Sequence, residues 1–213
     1  MLIPITAELL EDALIFFIEA HKGQRRKGTD IHGNKRPYIL HPISVMQRIF
    51  ANKVSKNMYM LAIAALGHDY IEDCCETKED KIKGLLLITQ KFGPQVAAIV
   101  DELTLDKEQY ALIGKKEYLA HELNLMSSYA FSIKLCDRLD NVCDMKDMGD
   151  VFRAKYVPET WYILNKLDRH LSDSQKSLIE QIKAELGKYE KYNVVVNENS
   201  KTEIYKDGTL LGS

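Results

Sequence analysis

Apolar residues recur at intervals of three and four through most of this 213-residue chain, the spacing that gathers them on one face of an α-helix. Such a chain is confined to helix packed on helix, because each apolar stripe has to be covered by another. Leu10, Leu14, Phe17 and Ile18 mark a first helix that Thr6 can cap. Pro42 suits the first turn of a second helix through Val45, Met46 and Ile49, where its missing N–H is not needed. A third helix is expected over about 56–73 and a fourth over about 78–91, after which Gly93-Pro94 punctuates. A fifth runs through Val96, Ile99, Val100 and Leu103, and helices over about 107–125, 128–147, 151–170 and 173–191 complete a core predicted to be all-α.

At 46% hydrophobic and 28% charged residues, the chain has enough apolar material for a packed interior. Its length suits one domain, expected over 1–191, with an appendage over 192–213. In the appendage Val194-Val195-Val196 is β-branched, and Thr202–Lys206, Asp207-Gly208 and Thr209–Leu211 have the pattern of a tight β-hairpin, with a flexible tail as the alternative. Lys and Arg number 29 against 31 Asp and Glu, a net charge of −2, so no global positive field recruits nucleic acid or an anionic membrane. Glu8, Glu11 and Asp12 stand where a signal peptide would be basic, no run is long enough to span a bilayer, and the expected location is the cytoplasm. Cys74, Cys75, Cys136 and Cys143 form no CxxC pair and read as reduced thiols.

Chemistry concentrates where the third helix ends, in LAIAALGHDYIEDCC. Leu61, Ala65, Asp69 and Asp73 are each four apart, so on a continuous helix one stripe starts apolar and turns acidic. His68 and Glu72 join Asp69 and Asp73 in a polar patch at the negative end of the helix dipole, the wrong end for carboxylates unless a cation neutralises them. His41, immediately before Pro42, and Asp137, which interrupts the apolar face of FSIKLCDRLDNV, are candidate further ligands. The bland readings are a capping histidine and an aspartate paired with Arg138 or Lys134. Two imidazoles and two carboxylates suit Mn²⁺, Fe²⁺ or Zn²⁺ better than Ca²⁺ and leave positions open for water. Such an ion lowers the pKa of bound water, and Glu72 or Asp73 stands where it can orient that water or shuttle protons. The irregular basic segment KGQRRKGTDIHGNKR, read as a loop, offers Arg25, Arg26 and Lys27 as a clamp for an anionic phosphate; alone it would be a solvated charge run.

HKGQRRK, RPYILHP, GHDYIEDCCET, KFGPQVAAIVDELT and KLCDRLDNV resemble, in this order, the motifs of the HD-domain (p)ppGpp hydrolases of the RelA/SpoT superfamily. The resemblance spans about residues 10–147 and implies an HD-type helical bundle. It implies that His41, His68, Asp69 and Asp137 bind one Mn²⁺, that Glu72 and Asp73 handle the attacking water, and that Arg26, Lys27 and Asn141 contact the nucleotide. The implied activity is hydrolysis of the 3′-pyrophosphate of guanosine tetra- or pentaphosphate to GDP or GTP. Nothing resembles a synthetase domain, so a stand-alone hydrolase is expected, of unspecified oligomeric state. The link between the RK pair and Tyr38 is lengthened by GTDIHGNKR, which adds His32, Lys35 and Arg36; Gly67 stands where the family usually has Leu; and Cys74-Cys75 follow the ED pair where Thr is common. The longer link keeps two alternatives open: another phosphorylated nucleotide as substrate, such as the 2′-phosphate of NADPH or a 3′-phosphonucleotide, or a non-catalytic nucleotide-binding module.

Overall fold

The helix with the most apolar sequence lies at the centre of the molecule. In a computed structural model, which describes residues 3–189 and beyond them the backbone of 192–196, 202–207 and 209–212, this is α3 (Met58–Leu66), whose residues from Met60 to Leu66 are all buried. A helix apolar all round must be enclosed. It is enclosed by α1 (Ala7–Ala20), α2 (Leu40–Ala51), α6 (Pro94–Leu103) and α9 (Ser128–Asp144). Outside these stand α4 (Tyr70–Cys74), α5 (Lys78–Phe92), α7 (Lys107–Ile113), α8 (Lys115–Leu125), α10 (Asp150–Asn165) and α11 (Asp173–Gly187), with a 3₁₀ turn at Met145–Asp147. Side-chain caps set several starts: Thr6 accepts from the Leu9 N–H, Ser127 from Ala130, and Thr77-Asp80 and Ser172-Gln175 form capping boxes.

Four expectations need correction. The helix expected over 56–73 is two, α3 and α4, because α3 ends at Gly67, whose N–H returns to Ile63. The helix expected over 107–125 breaks at Gly114, whose φ of +89° no L-residue adopts easily. The basic segment read as a loop is a two-stranded antiparallel hairpin, β1 (Arg25–Thr29) with β2 (Lys35–Pro37), so the structure is a helical bundle carrying β structure near its N-terminus. The expected C-terminal hairpin needs a third strand: β4 (Thr202–Lys206) pairs antiparallel with β5 (Thr209–Gly212), and β3 (Tyr192–Val196) joins the other side of β4, in the order β3-β4-β5, beside α10. All four cysteines are free thiols. No helix among the described residues is long and apolar enough to cross a membrane.

Candidate metal centre

Three segments bring their polar residues to one end of α3. Gly67 closes that helix, and His68 and Asp69 follow in the turn before α4. Glycine is needed there for space: a Cβ on residue 67 would lie 2.6 Å from Phe17 Cζ. The first turn of α2 supplies His41, and the middle of α9, packed against both α2 and α3, supplies Asp137.

The four side chains converge on one point. His41 Nε2 lies 3.1 Å from Asp137 Oδ1 and 3.7 Å from Asp69 Oδ2; His68 Nε2 lies 3.0 Å from Asp69 Oδ2 and 3.8 Å from Asp137 Oδ1. Donors about 2.1 Å from a shared ion sit roughly 3.0–3.5 Å from one another, so the spacing fits one divalent cation. His41, His68 and Asp137 form a buried metal-competent trio, and Asp69 extends it to four. His68 Nε2 is buried and makes no hydrogen bond, although an acidic oxygen stands beside it, as expected of two ligands that share an ion. Its other nitrogen, Nδ1, is 2.7 Å from the Ala65 carbonyl, which can only accept, so Nδ1 carries the proton and Nε2 presents a lone pair.

The electrostatics favour positive charge at this point. Burial opposes a charged His41, yet hydrogen bonds to Asp137 and Asp140 outweigh it and raise its pKa to about 9. Burial likewise opposes a charged His68, and Asp69 beside it pulls the pKa upward. Asp69 and Asp137 resist the upward push of burial and are held below the usual carboxylate range, Asp69 by His68 and Asp137 by Lys134 and the histidines. Either protons on imidazole or a bound cation meets this preference.

Around the four, Tyr38 donates its O–H to Asp69 Oδ2 at 2.5 Å. Asn141 donates to Asp137 Oδ1 at 2.6 Å, and Lys134 Nζ stands 3.2 Å from Asp137 Oδ2. Of the bland pairings for Asp137, the one with Lys134 exists alongside the cluster; Arg138 turns away to Glu159 and Thr160. Glu72 is half-buried and accepts the Leu105 N–H at 2.8 Å, and burial raises its pKa. Asp73 is exposed, with a pKa raised by partial burial and then by Asp69.

The basic residues divide. Arg25 is exposed on β1, and Lys27 is exposed with its Nζ 5.0 Å from the Phe152 ring centroid. Arg26 is not a free clamp: its buried guanidinium lies 3.1 Å from Asp140 Oδ2 and 2.6 Å from Asp144 Oδ2. Arg36, from the lengthened link, adds a contact of 3.0 Å to the same Asp144 oxygen. Asp140 and Asp144 were not among the expected site residues, although they stand three and seven positions after Asp137, on the same side of α9. A cavity of about 570 Å³ opens beside Lys27, lined by Phe152, Tyr156, Lys115 and Lys155; the Phe152 and Tyr156 rings are nearly parallel, 5.3 Å apart. A larger one of about 830 Å³, between α1, α4 and α5, shares no lining residue with the four donors.

No protein-family model matches the chain. Among curated proteins it is 34% identical over 155 residues to guanosine-3′,5′-bis(diphosphate) 3′-pyrophosphohydrolase MESH1 of Xenopus tropicalis, covering 73% of this chain and 75% of that one. The human protein of the same name is also 34% identical over 155 residues, covering 73% and 74%. The guanosine-3′,5′-bis(diphosphate) 3′-pyrophosphohydrolase of Vibrio cholerae is 30% identical over 186 residues, and there the match spans only 23% of the relative. Among solved structures, the fold matches one described as a metazoan ortholog of SpoT that hydrolyzes ppGpp, with a TM-score of 0.68 at 21% identity, covering 88% of this chain and 99% of that one.

Proposed function

The chain belongs to the MESH1-like HD-domain (p)ppGpp 3′-pyrophosphohydrolases of the RelA/SpoT family, and we propose that it carries out the reaction for which those relatives are named. Water cleaves the bond between the ribose 3′ oxygen and phosphorus; its oxygen leaves on pyrophosphate, and the 3′ oxygen of GDP or GTP takes up a proton. The observation that carries this reading is the convergence of His41 Nε2, His68 Nε2, Asp69 Oδ2 and Asp137 Oδ1 within bonding reach of a single ion.

We assign Mn²⁺ to the site on its mixed imidazole and carboxylate donors. The bound ion supplies Lewis acidity, polarising phosphoryl oxygens and acidifying water. Tyr38 orients Asp69 through its hydrogen bond, and Asn141 and Lys134 fix Asp137. Burial raises the pKa of Glu72, which suits it to give a proton to the departing 3′ oxygen; Asp73, more exposed, is suited to orient the incoming water. Lys27 and Arg25 face solvent and can meet substrate phosphates.

One observation favours a second substrate. With Arg26 neutralised by Asp140 and Asp144, the pocket offers less positive charge than its sequence promises, which suits a nucleotide carrying one phosphate at the 2′ or 3′ position. The test is to incubate protein and Mn²⁺ with ppGpp, NADPH and a 3′-phosphonucleotide in parallel and to identify products by ion-exchange chromatography. GDP and pyrophosphate are expected from ppGpp, and Asp69→Asn should release neither. Orthophosphate from NADPH or the 3′-phosphonucleotide with ppGpp intact would move the assignment to the second substrate. Tight binding without any product would make the chain a sensor.

A further inference from the structure

His41 reaches the ion position through one nitrogen only, and its other nitrogen is held by a residue outside the four donors. His41 Nδ1 lies 2.7 Å from Asp140 Oδ2, and both side chains are buried, with 4% and 6% of their surfaces exposed. We propose that Asp140 is a positioning residue for the metal centre: it fixes His41 in the Nδ1–H tautomer, so that Nε2 turns its lone pair to the ion, and its negative charge strengthens that nitrogen as a donor. The proposal rests on the reading of His41 as a metal ligand.

The carboxylate is itself held from several sides. Ser44 donates to Oδ1, Arg48 Nη2 stands 3.1 Å from the same oxygen, and Arg26 Nη1 stands 3.1 Å from Oδ2. A buried carboxylate with this many donors stays ionised and cannot rotate away from the imidazole. A neutral imidazole that donates from Nδ1 to a carboxylate has its lone pair on Nε2, and such outer partners of ligating histidines characteristically set ring orientation and basicity. His68 solves the same problem with the Ala65 carbonyl, so the two imidazoles present Nε2 with differently charged supports. Arg26 takes part through this arrangement: from β1 it braces the residue that braces a ligand, which ties the N-terminal hairpin to the centre.

A bland alternative exists, in which Asp140 only ties α2, α9 and β1 together by ion pairs. It differs in what it predicts for metal affinity. The test compares wild type, Asp140→Asn, Asp140→Ala and His41→Ala, each stripped of metal, by the binding of Mn²⁺ at neutral pH read from the electron paramagnetic resonance of the free ion. Urea midpoints are measured alongside. Asp140→Asn should weaken Mn²⁺ binding by about 10- to 100-fold, the usual effect of removing such a support, and Asp140→Ala at least as much. Mn²⁺ affinity of Asp140→Asn within about twofold of wild type, with a lowered urea midpoint, would reduce Asp140 to a structural tie. Should the variants not fold, long-range ¹H–¹⁵N spectra of the wild-type protein loaded with diamagnetic Zn²⁺ decide: His41 should appear with its proton on Nδ1 at low field, and the opposite tautomer overturns the proposal. If wild type itself binds no Mn²⁺, or His41→Ala binds it as well as wild type, the metal reading falls and this inference with it; if only Asp140→Asn matches wild type, the metal reading stands alone.

Discussion

At the scale of single residues, the proton on His41 Nε2 and a metal ion compete for the same lone pair. Its pKa of about 9 in the fold lies above the ordinary value of 6.5. A group raised in this way stabilises the metal-free protein fully below its ordinary pKa, and that stability is lost as pH climbs through the folded value. His68 is shifted in the same direction. The urea midpoint of EDTA-treated protein should therefore decline between pH 6.5 and about 9, while Mn²⁺ affinity rises across that window, because fewer protons have to be displaced. Titrations at several pH values check this, and affinity that ignores pH would contradict it. Substitution separates the roles further: Asp69→Asn should lose metal and turnover together, whereas Glu72→Gln should keep Mn²⁺ affinity within about threefold and lose 10²–10⁴-fold in kcat, the range for a general acid or base. Asp69 and Asp137 were legible from the sequence because each interrupts an apolar stripe, and His68, Glu72 and His41 by their places beside Asp69 and Pro42. Asp140 and Asp144 were not, nor was the burial of Arg26 against them. A run of basic residues looks solvated, and nothing local to Arg26 reveals a carboxylate partner 114 positions along the chain.

At the scale of elements, the break between α3 and α4 decides where His68 and Asp69 point. The spacing of Leu61, Ala65, Asp69 and Asp73 suggests one unbroken stripe, and the acidic patch it foretold is present although the helix stops at Gly67. Gly67 has φ of −94°, so its role is room and not an unusual backbone. Phe17 is fully buried, with the rings of Phe16, Tyr70 and Phe92 centred 5.0, 5.7 and 5.7 Å from its own, and has little freedom to yield to a methyl 2.6 Å from its Cζ. Gly67→Ala should therefore cost about 1–3 kcal/mol of stability, as overpacking does, and should weaken Mn²⁺ binding because His68 is the next residue. Urea unfolding of Gly67→Ala, Phe17→Leu and the double variant measures this; a double variant as unstable as the sum of the single ones would argue against that clash. The β1–β2 hairpin escaped the sequence for a related reason. Its inward positions, Arg26 and Gly28, carry no apolar signal, so a strand with buried alternate residues reads as a polar loop. What turns it is Asp30, whose Oδ1 accepts the His32 and Asn34 N–H groups at 2.8 Å each, with Gly33 at φ +81°.

At the scale of the whole molecule, the centre fastens together segments that meet only in the native packing. Helical periodicity made the bundle legible, and the order of the motifs made its family legible, but neither specifies that α2, the α3–α4 turn and α9 meet at one point; that follows from α3 being wrapped by its neighbours. The unfolded chain keeps His41, His68, Asp69 and Asp137 apart, so an ion held by all four binds the folded state far better than the unfolded one. Free Mn²⁺ at 100 times its dissociation constant should then add about 2.7 kcal/mol, which at roughly 2–4 °C per kcal/mol for a domain of this size is a rise of about 5–10 °C in Tm. Differential scanning calorimetry with Mn²⁺ and with EDTA reads it directly. The rise should vanish in Asp69→Asn, which retains the bundle but not the ligand, and should shrink in Asp140→Asn. A wild-type Tm indifferent to saturating Mn²⁺ would mean that the four donors, close as they are, do not act as one centre, because a ligand confined to the native state cannot bind there without stabilising it.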